Sequence, residues 1–300
     1  MKRVALLAAS WLLVLGTSSE SRATLTLLGQ FNPSNTGSLC GLAFDPTAAN
    51  VWVYGCSASD VQRYSTAGLF LSSVTRPGES ANDVDVEIAP GPFTLAATDV
   101  PRGGLLFING ETAVAEIYAV DKTSGAVNET LNTSFGVSHV VGGAYHSRRA
   151  TLFLVQDNVP GAADENEVAE IDPVTGSVLN TFQTTATFSV SFGDIEVCNS
   201  TGNLLVVSSA ESDMAEYTPT GAFVQFHPLP VGVSSLSGIG VDDAAGEIWV
   251  GSTGGVVSRL GGTACPAPAA VPALQEFGVA GLVLLLVGSS LAVFTRRRAA

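Results

Sequence analysis

Two short segments of this sequence hold carboxylates at a spacing that could do chemistry: Asp85-Val86-Glu87 and Asp194-Ile195-Glu196. Residues two apart in a strand share a face, so each segment would present a pair of acids on one side. Three equivalent segments, set against the internal repeat described below, carry small residues instead: Gly41 and Ala43, Gly142 and Ala144, Gly238 and Gly240. Carboxylates converging on one axis must be solvated, paired or bound to a cation, because burying a bare charge is unfavourable by many kcal/mol. A hard cation such as calcium takes oxygen ligands and is the metal reading for Asp85, Glu87, Asp194 and Glu196. A water-filled channel with solvated walls is the simpler one.

Other chemistry is sparse. The sequence has no Gly-x-Ser-x-Gly elbow and no His-Glu-x-x-His, the signatures of an exposed serine nucleophile and of a zinc-binding helix. His139, His146 and His227 fall at different positions of the repeat with no acid partner evident, and His146 stands where other units have a turn Asp. The acidic run 157–167 reads as a solvated surface loop. It also offers a peripheral calcium site through Asp157, Asp164, Glu165 and Glu167, although its spacing is not that of an EF-hand loop. Trp52 and Trp249 occupy equivalent second-strand positions, which points to core rather than a ligand platform.

The elements that must position the acids follow from a recurring hairpin. Val168 to Phe182 is a short apolar strand, a turn closed by Gly176 and a second alternating strand, and copies turn at Gly68, Gly125 and Gly221. Each copy is preceded by another hairpin. Gly41 to Asp45 leads to Val51-Trp52-Val53, and Gly238 to Asp242 leads to Ile248-Trp249-Val250 at an offset of 197. The same template returns at offsets of 44, 101 and 153, at Asp85, Gly142 and Asp194. In the second unit both Phe93 to Ala97 and Gly104 to Ile108 read as the next strand, so one is an extra strand or long loop. Four alternating strands in about 48 residues, repeated around an axis, predict a five-bladed β-propeller. The fifth unit lacks its outer strand after Val256 to Leu260, and Thr24 to Phe31 is an orphan strand of that type. Pairing the two closes the ring and leaves no open edge there. An open solenoid or a two-sheet sandwich leaves the orphan strand unexplained.

Composition narrows the partners. The chain is 46% apolar and only 13% charged, with a net charge of -14, enough for one sizeable core and too hydrophobic for disorder. Residues 24–270 hold 7 Lys or Arg against 25 Asp or Glu. A field of that sign repels nucleic acid and anionic headgroups, so nucleic-acid binding is set aside, while cations and basic partners remain open.

Both chain ends read as addresses. Met1-Lys2-Arg3, an apolar run from Val4 to Gly16 and Ser21-Arg22-Ala23 have the three regions of a secretory signal peptide, with cleavage expected after Ala23. Gly278 to Phe294 is 17 residues without a charge, followed by Arg296-Arg297-Arg298. As a helix it is roughly 25 Å long, with its arginines held on the cytoplasmic side and the preceding chain outside. The run Val271-Pro272-Ala273-Leu274-Gln275-Glu276-Phe277-Gly278 resembles the start of the IPTL-type C-terminal sorting domains, relatives of the PEP-type tails processed by bacterial exosortase systems. Pro272, Leu274 and Gly278 match, whereas Val271, Ala273, Gln275 and Phe277 stand where that family has Ile, Thr, Ser and Trp. The resemblance covers residues 271–300 and implies a processing protease of the exosortase type and a place in the bacterial envelope or extracellular matrix. An ordinary C-terminal anchor with a basic stop is the alternative.

Cysteine usage fits an oxidising compartment. Pairing Asp45 with Val51 in the first hairpin puts Cys40 opposite Cys56, as a cross-strand disulfide needs, and the alternative is two free thiols packed as small apolar residues. Cys198 and Cys265 are left over as a second pair, which sequence alone cannot bring together. The expected organisation is therefore a signal peptide (1–23), a propeller (24–263), a Pro/Ala-rich linker with the sorting motif (264–277), and a transmembrane helix with a basic tail (278–300). The expected function is an exported, envelope-anchored or sorted propeller acting as a binding or matrix module for an unknown extracellular ligand. The rival is a cation-dependent hydrolase. It rests on the loose resemblance of the Asp-x-Glu strands to inner strands of exported esterase- or phytase-like propellers.

Overall fold

The computed structural model of the protein describes residues 24–268, apart from 35–36, 79–82, 137–138, 159–164 and 185–187. The signal peptide, the sorting motif and the C-terminal helix read from the sequence lie outside the described residues. Among the described residues every regular element is a strand, and no helix is long and apolar enough to cross a membrane.

The chain opens with β1 (Thr26–Phe31) and then lays down five four-stranded antiparallel sheets. Blade 1 is β2 (Leu39–Asp45), β3 (Asn50–Gly55), β4 (Asp60–Ser65) and β5 (Phe70–Thr75). Blade 2 begins with β6 (Val84–Ile88), is interrupted by a two-stranded ribbon of β7 (Phe93–Leu95) and β8 (Thr98–Val100), and resumes with β9 (Leu105–Asn109), β10 (Glu116–Val120) and β11 (Val127–Asn132). Blade 3 is β12 (Val140–His146), β13 (Thr151–Gln156), β14 (Glu167–Ile171) and β15 (Val178–Gln183). Blade 4 is β16 (Gly193–Cys198), β17 (Asn203–Ser208), β18 (Asp213–Tyr217) and β19 (Phe223–Pro228). Blade 5 is β20 (Leu236–Asp242), β21 (Glu247–Ser252) and β22 (Val257–Gly261), completed by β1.

The protein is thus a five-bladed β-propeller, closed by the orphan N-terminal strand pairing with β22 from Thr26 opposite Gly261 to Phe31 opposite Val257. The ambiguous stretch in blade 2 resolves as well. Leu105 to Asn109 is the second strand, and Phe93 to Val100 forms the extra ribbon. That ribbon leans on blade 3, where Phe93 stacks on Tyr145 at 4.0 Å and the Ala96 N–H donates to the Pro173 carbonyl.

Burial follows the blade order. Inner and second strands such as β12 and β13 are buried at every position, so both of their faces are apolar. Outer strands such as β15 are exposed at nearly every position. Between blades the core is aromatic. Tyr54 of blade 1 meets Phe107 of blade 2 edge-on at 5.4 Å, and Phe44 of blade 1 stacks on Trp249 of blade 5 at 6.1 Å. Trp52 and Trp249 are both core residues, covered by Arg63 and Arg259 at 5.6 and 5.8 Å from the ring centres. Each such burial contributes about 1.5–3 kcal/mol.

Two disulfides hold the ring, Cys40–Cys56 within blade 1 and Cys198–Cys265 from blade 4 to the segment after β22. The first forms by a different register from the one expected. Asp45 faces Asn50, not Val51, and the pairing shifts between Leu39 and Gly41, which makes Cys40 the extra residue of a β-bulge. The bulge carries the pairing one residue further from that expectation, so that Leu39 faces Gly55 and the Cys56 N–H donates to the Ser38 carbonyl, and the disulfide joins the bulged Cys40 diagonally to Cys56. The second disulfide ties the residues just beyond 263 to the propeller, with Ala264 and Cys265 buried.

The candidate site in the central channel and at its mouth

Five inner strands, β2, β6, β12, β16 and β20, line the axis, and they are of two kinds. In β2, β12 and β20 the register shifts just before Gly41, Gly142 and Gly238. In β6 and β16 the register runs unbroken through Asp85 and Asp194. A bulge bends its strand, and the three bent strands carry glycine where their neighbours carry an acid.

The packing explains the pairing of types. A Cβ on Gly41 would lie 2.7 Å from Oδ1 of Asp85, and one on Gly142 would lie 2.2 Å from Oδ1 of Asp194. The glycines are the room into which the acids fold.

The four acids of the sequence reading, Asp85, Glu87, Asp194 and Glu196, are all buried. Each reaches towards backbone donors. The Gly143 N–H donates to Oδ2 of Asp85 at 3.2 Å and the Tyr145 N–H to Oε1 of Glu87 at 3.4 Å, both from blade 3. The Ile239 N–H of blade 5 donates to Oδ2 of Asp194 at 2.8 Å, and the Val197 N–H to Oε1 of Glu196 at 2.7 Å.

Across the axis the acids meet in two tiers. Asp194 meets Asp85, and Glu196 meets Glu87, each as a neighbouring like charge. Oδ1 of Asp85 has no hydrogen-bond partner. Burial first, and then the neighbouring carboxyls, raise all four well above the ordinary carboxylate range, against the pull of the backbone N–H groups. Asp243 adds a further like charge beside the glutamates, and it is itself raised by burial although Asn199 donates to it twice. The channel quartet does not bring three ligand atoms within 4.8 Å of one another.

Two other groups among the described residues do. One is Cys198, Asp243 and Cys265, but its sulfurs are joined in the disulfide and are not free to ligate. The other is Asp83, His139 and Asp157, at the end of the channel where the inner strands begin. Nδ1 of His139 lies 2.7 Å from Oδ2 of Asp83 and 3.8 Å from Oδ1 of Asp157. Asp83 and Asp157 are buried, while the His139 side chain is 43% exposed.

Burial lifts Asp83 to about 6, opposed by His139 and reinforced by Asp157 and Glu111. Burial also raises Asp157, opposed by His139 and by the Phe192 N–H. Oδ1 of Asp157 accepts no hydrogen bond, and the adjoining Gln156, wholly buried, has neither amide atom bonded.

Asp83 and His139 went unseen in the sequence because the bulge hides their equivalence. The carbonyls of Ser38, Asp83, His139, Phe192 and Ser235 each accept the bond that opens an inner hairpin. Counting back from the acid or glycine, Asp83 is two residues away and His139 three. The expectation that the histidines lack acid partners is corrected for two of them. His139 faces Asp83, and the buried His227 lies 2.9 Å from Glu216, itself held low, against its own burial, by His227, Asn203 and Gln225. His146 ends β12 and bonds the Gly202 carbonyl at 3.1 Å.

No protein-family model matches the sequence, and no curated protein matches it. Solved structures do resemble it. The glutaminyl cyclase of Myxococcus xanthus superposes with a TM-score of 0.55 at 13% identity over 80% of this chain and 97% of that one. The virginiamycin B lyase of Staphylococcus aureus gives 0.47 at 14% identity over 79% and 99%. The first likeness is one of fold, a propeller shared without shared sequence, and the second carries no further argument.

Proposed function

We propose that the protein is an exported propeller acting as a binding or matrix module outside the cell, tethered by or processed at its C-terminal segment. The observation that carries this reading is the rim. Each of the five outer strands exposes large apolar side chains: Leu28 on β1, Phe70 on β5, Val127 on β11, Leu179 on β15 and Val224 on β19, between 42% and 54% exposed. Outer strands also present unpaired backbone groups, a template for another strand. Exposed apolar side chains beside unpaired strand edges give each blade a surface that another chain can cover. The two disulfides fit assembly in an oxidising compartment. The channel acids, by contrast, are engaged by backbone donors and by one another. The alternative, a cation-dependent hydrolase working through Asp85, Glu87, Asp194 and Glu196 with calcium, would need all four ionised around one ion.

The test is recovery of the protein from the producing cells. The wild type should appear in the envelope or extracellular-matrix fraction, starting at Thr24 and without free thiols. A rim variant, Phe70→Lys with Leu179→Lys and Val224→Lys, should be processed alike but released into the medium. A chain found in the cytoplasm with Met1 and four free thiols would sink export, and a rim variant retained like the wild type would sink the rim as the binding surface.

A further inference from the structure

We infer that Asp83, His139 and Asp157 form a binding site for one divalent transition-metal ion of the zinc type, through Oδ2 of Asp83, Nδ1 of His139 and Oδ1 of Asp157, at the mouth of the channel. The inference is independent of export and of the rim.

Four observations support it. First, the three atoms lie mutually within 4.8 Å and come from two different blades and three separate strand ends, so the fold gathers them and not a local loop. Asp83 precedes β6, His139 precedes β12, and Asp157 follows β13.

Second, the spacing needs little change. Bonds of about 2.0–2.1 Å in a tetrahedral zinc site put ligand atoms roughly 3.3 Å apart. The observed separations from Nδ1 are 2.7 and 3.8 Å. One must open and one close by about half an ångström, which a turn of the imidazole or carboxylate supplies. The backbone that holds them is fixed: the Asp157 N–H donates to the His139 carbonyl at 3.1 Å, and the Gly110 N–H to the Asp83 carbonyl at 2.8 Å.

Third, an atom is waiting for a partner. Asp157 is 7% exposed, and its Oδ1 accepts no hydrogen bond while facing His139. A buried carboxylate oxygen left without a donor is unfavourable, and an ion coordinated there removes the penalty.

Fourth, the ligand chemistry selects the ion. Calcium and magnesium favour shells of oxygen alone, whereas an imidazole nitrogen with carboxylates suits zinc and its neighbours. Three protein ligands leave a fourth position, and His139, the most exposed of the three, places that position towards solvent. This is the open arrangement of a site that can take a water or a ligand group, not of a closed structural one. The channel quartet also holds an unpartnered oxygen, Oδ1 of Asp85, but it is all oxygen and brings no three ligand atoms within 4.8 Å of one another. The left-handed backbone of His139, φ 68°, recurs at the equivalent Phe192 and Ser235, so it belongs to the propeller's design and not to this site.

The experiment uses the full-length protein stripped with a chelator and titrated with zinc chloride, with calcium chloride and cobalt(II) chloride in parallel arms. The wild type should bind one zinc per chain, by calorimetry and by metal analysis after desalting. Cobalt should bind with a visible absorption spectrum characteristic of nitrogen ligation. The isosteric Asp157→Asn should weaken zinc at least about tenfold. His139→Asn, which tolerates the left-handed backbone, should weaken it likewise and change the cobalt spectrum. Glu87→Gln, in the channel, should bind zinc as the wild type does. Thermal unfolding of each variant separates lost ligation from lost fold. The inference is overturned if the wild type holds no zinc, or if Asp157→Asn and His139→Asn bind it unchanged. It is equally overturned if Glu87→Gln abolishes binding, or if calcium binds in preference to zinc, since either result moves the ion into the channel.

Discussion

The waist of the channel and its mouth, one residue-pair apart on the same strand, use the same side chain to opposite ends. Asp83, Asp85 and Glu87 alternate along one face of the chain leading into and through β6. At the waist, Asp85 and Glu87 are answered by backbone N–H groups of blade 3 and by the acids of blade 4. Their charge is suppressed and they serve as packing. At the mouth, Asp83 is answered by an imidazole, and its partner Asp157 keeps an oxygen with no donor. A carboxyl among other carboxyls and backbone donors is driven towards its neutral form, whereas one facing an imidazole belongs to a mixed nitrogen and oxygen ligand set. The glycines decide which, because the bent, glycine-bearing strands leave the space that the waist acids fill and turn their N–H groups towards it.

The largest expected effect follows from that space. In Gly142→Ala the new methyl group would stand 2.2 Å from Oδ1 and 2.6 Å from Cα of Asp194, so backbone must move as well as side chain. A loss of about 3 kcal/mol is expected, at the upper end of overpacking, read from urea unfolding midpoints. Gly91→Ala, whose Cβ would meet nothing nearer than 3.7 Å, should stay within about 0.5 kcal/mol. Equal costs for the two would mean that the waist is not packed as described.

A second contrast uses Asp45, a buried acid that does have a cation. Burial pushes it up, but the Lys122 ammonium at 2.7 Å and two bonds from Thr47 hold it below its ordinary value. Its folded form therefore prefers the ionised state. Its contribution to stability is present above the ordinary carboxylate range and is lost as pH falls through the folded value. Lys122→Met should destabilise by about 2 kcal/mol at pH 7, less than for a wholly buried pair because the lysine is 29% exposed. The deficit should shrink towards pH 3. A deficit independent of pH would assign the loss to packing instead.

The waist acids should behave with the opposite sign. Their folded values are raised, so the folded chain binds protons more tightly than the unfolded one, and stability is lost as pH rises from the ordinary carboxylate range towards the folded values. Glu87→Gln removes one of the like charges that repel there. It should stabilise the protein by about 1 kcal/mol at pH 8 and leave it nearly unchanged at pH 4. A lower melting temperature at pH 8 would show that the waist carries charge, as a bound cation would require.

Much of this was legible in the sequence, and the part that was not has one cause. Strand alternation and turn glycines announce themselves locally: Gly68, Gly125, Gly176 and Gly221 all adopt the positive φ that their hairpins require. The orphan strand, the disulfide from Cys40 to Cys56 and the acid-for-glycine exchange at Asp85 and Asp194 were readable for the same reason. Register is not local. The bulges at Cys40, Val141 and Ser237 leave no residue signature of their own, yet each moves its neighbours by one position. That shift separated Asp83 from His139 in the superposition although the two lie side by side, while the slip at Asp45 is set at the turn, where Asp45 faces Asn50. Asp157 was visible only as the start of an acidic loop, because nothing in the sequence says that its side chain turns inward.

The smallest stability effect should belong to the mouth, and its smallness is the point. In the metal-free protein Asp157→Asn removes a like charge beside Asp83 and also an attraction to His139. These offset, and the amide keeps an oxygen to accept from the Phe192 N–H. A change within about 0.5 kcal/mol is expected from unfolding in the presence of chelator. With zinc saturating, the wild type should gain stability by mass action, about 2.7 kcal/mol at a hundredfold excess over the dissociation constant, and Asp157→Asn should gain far less. The waist variant Glu87→Gln should gain as much as the wild type. If Asp157→Asn instead lost several kcal/mol with chelator present, its carboxylate would be a structural group like those of the waist, and the distinction between the two ends of β6 would collapse.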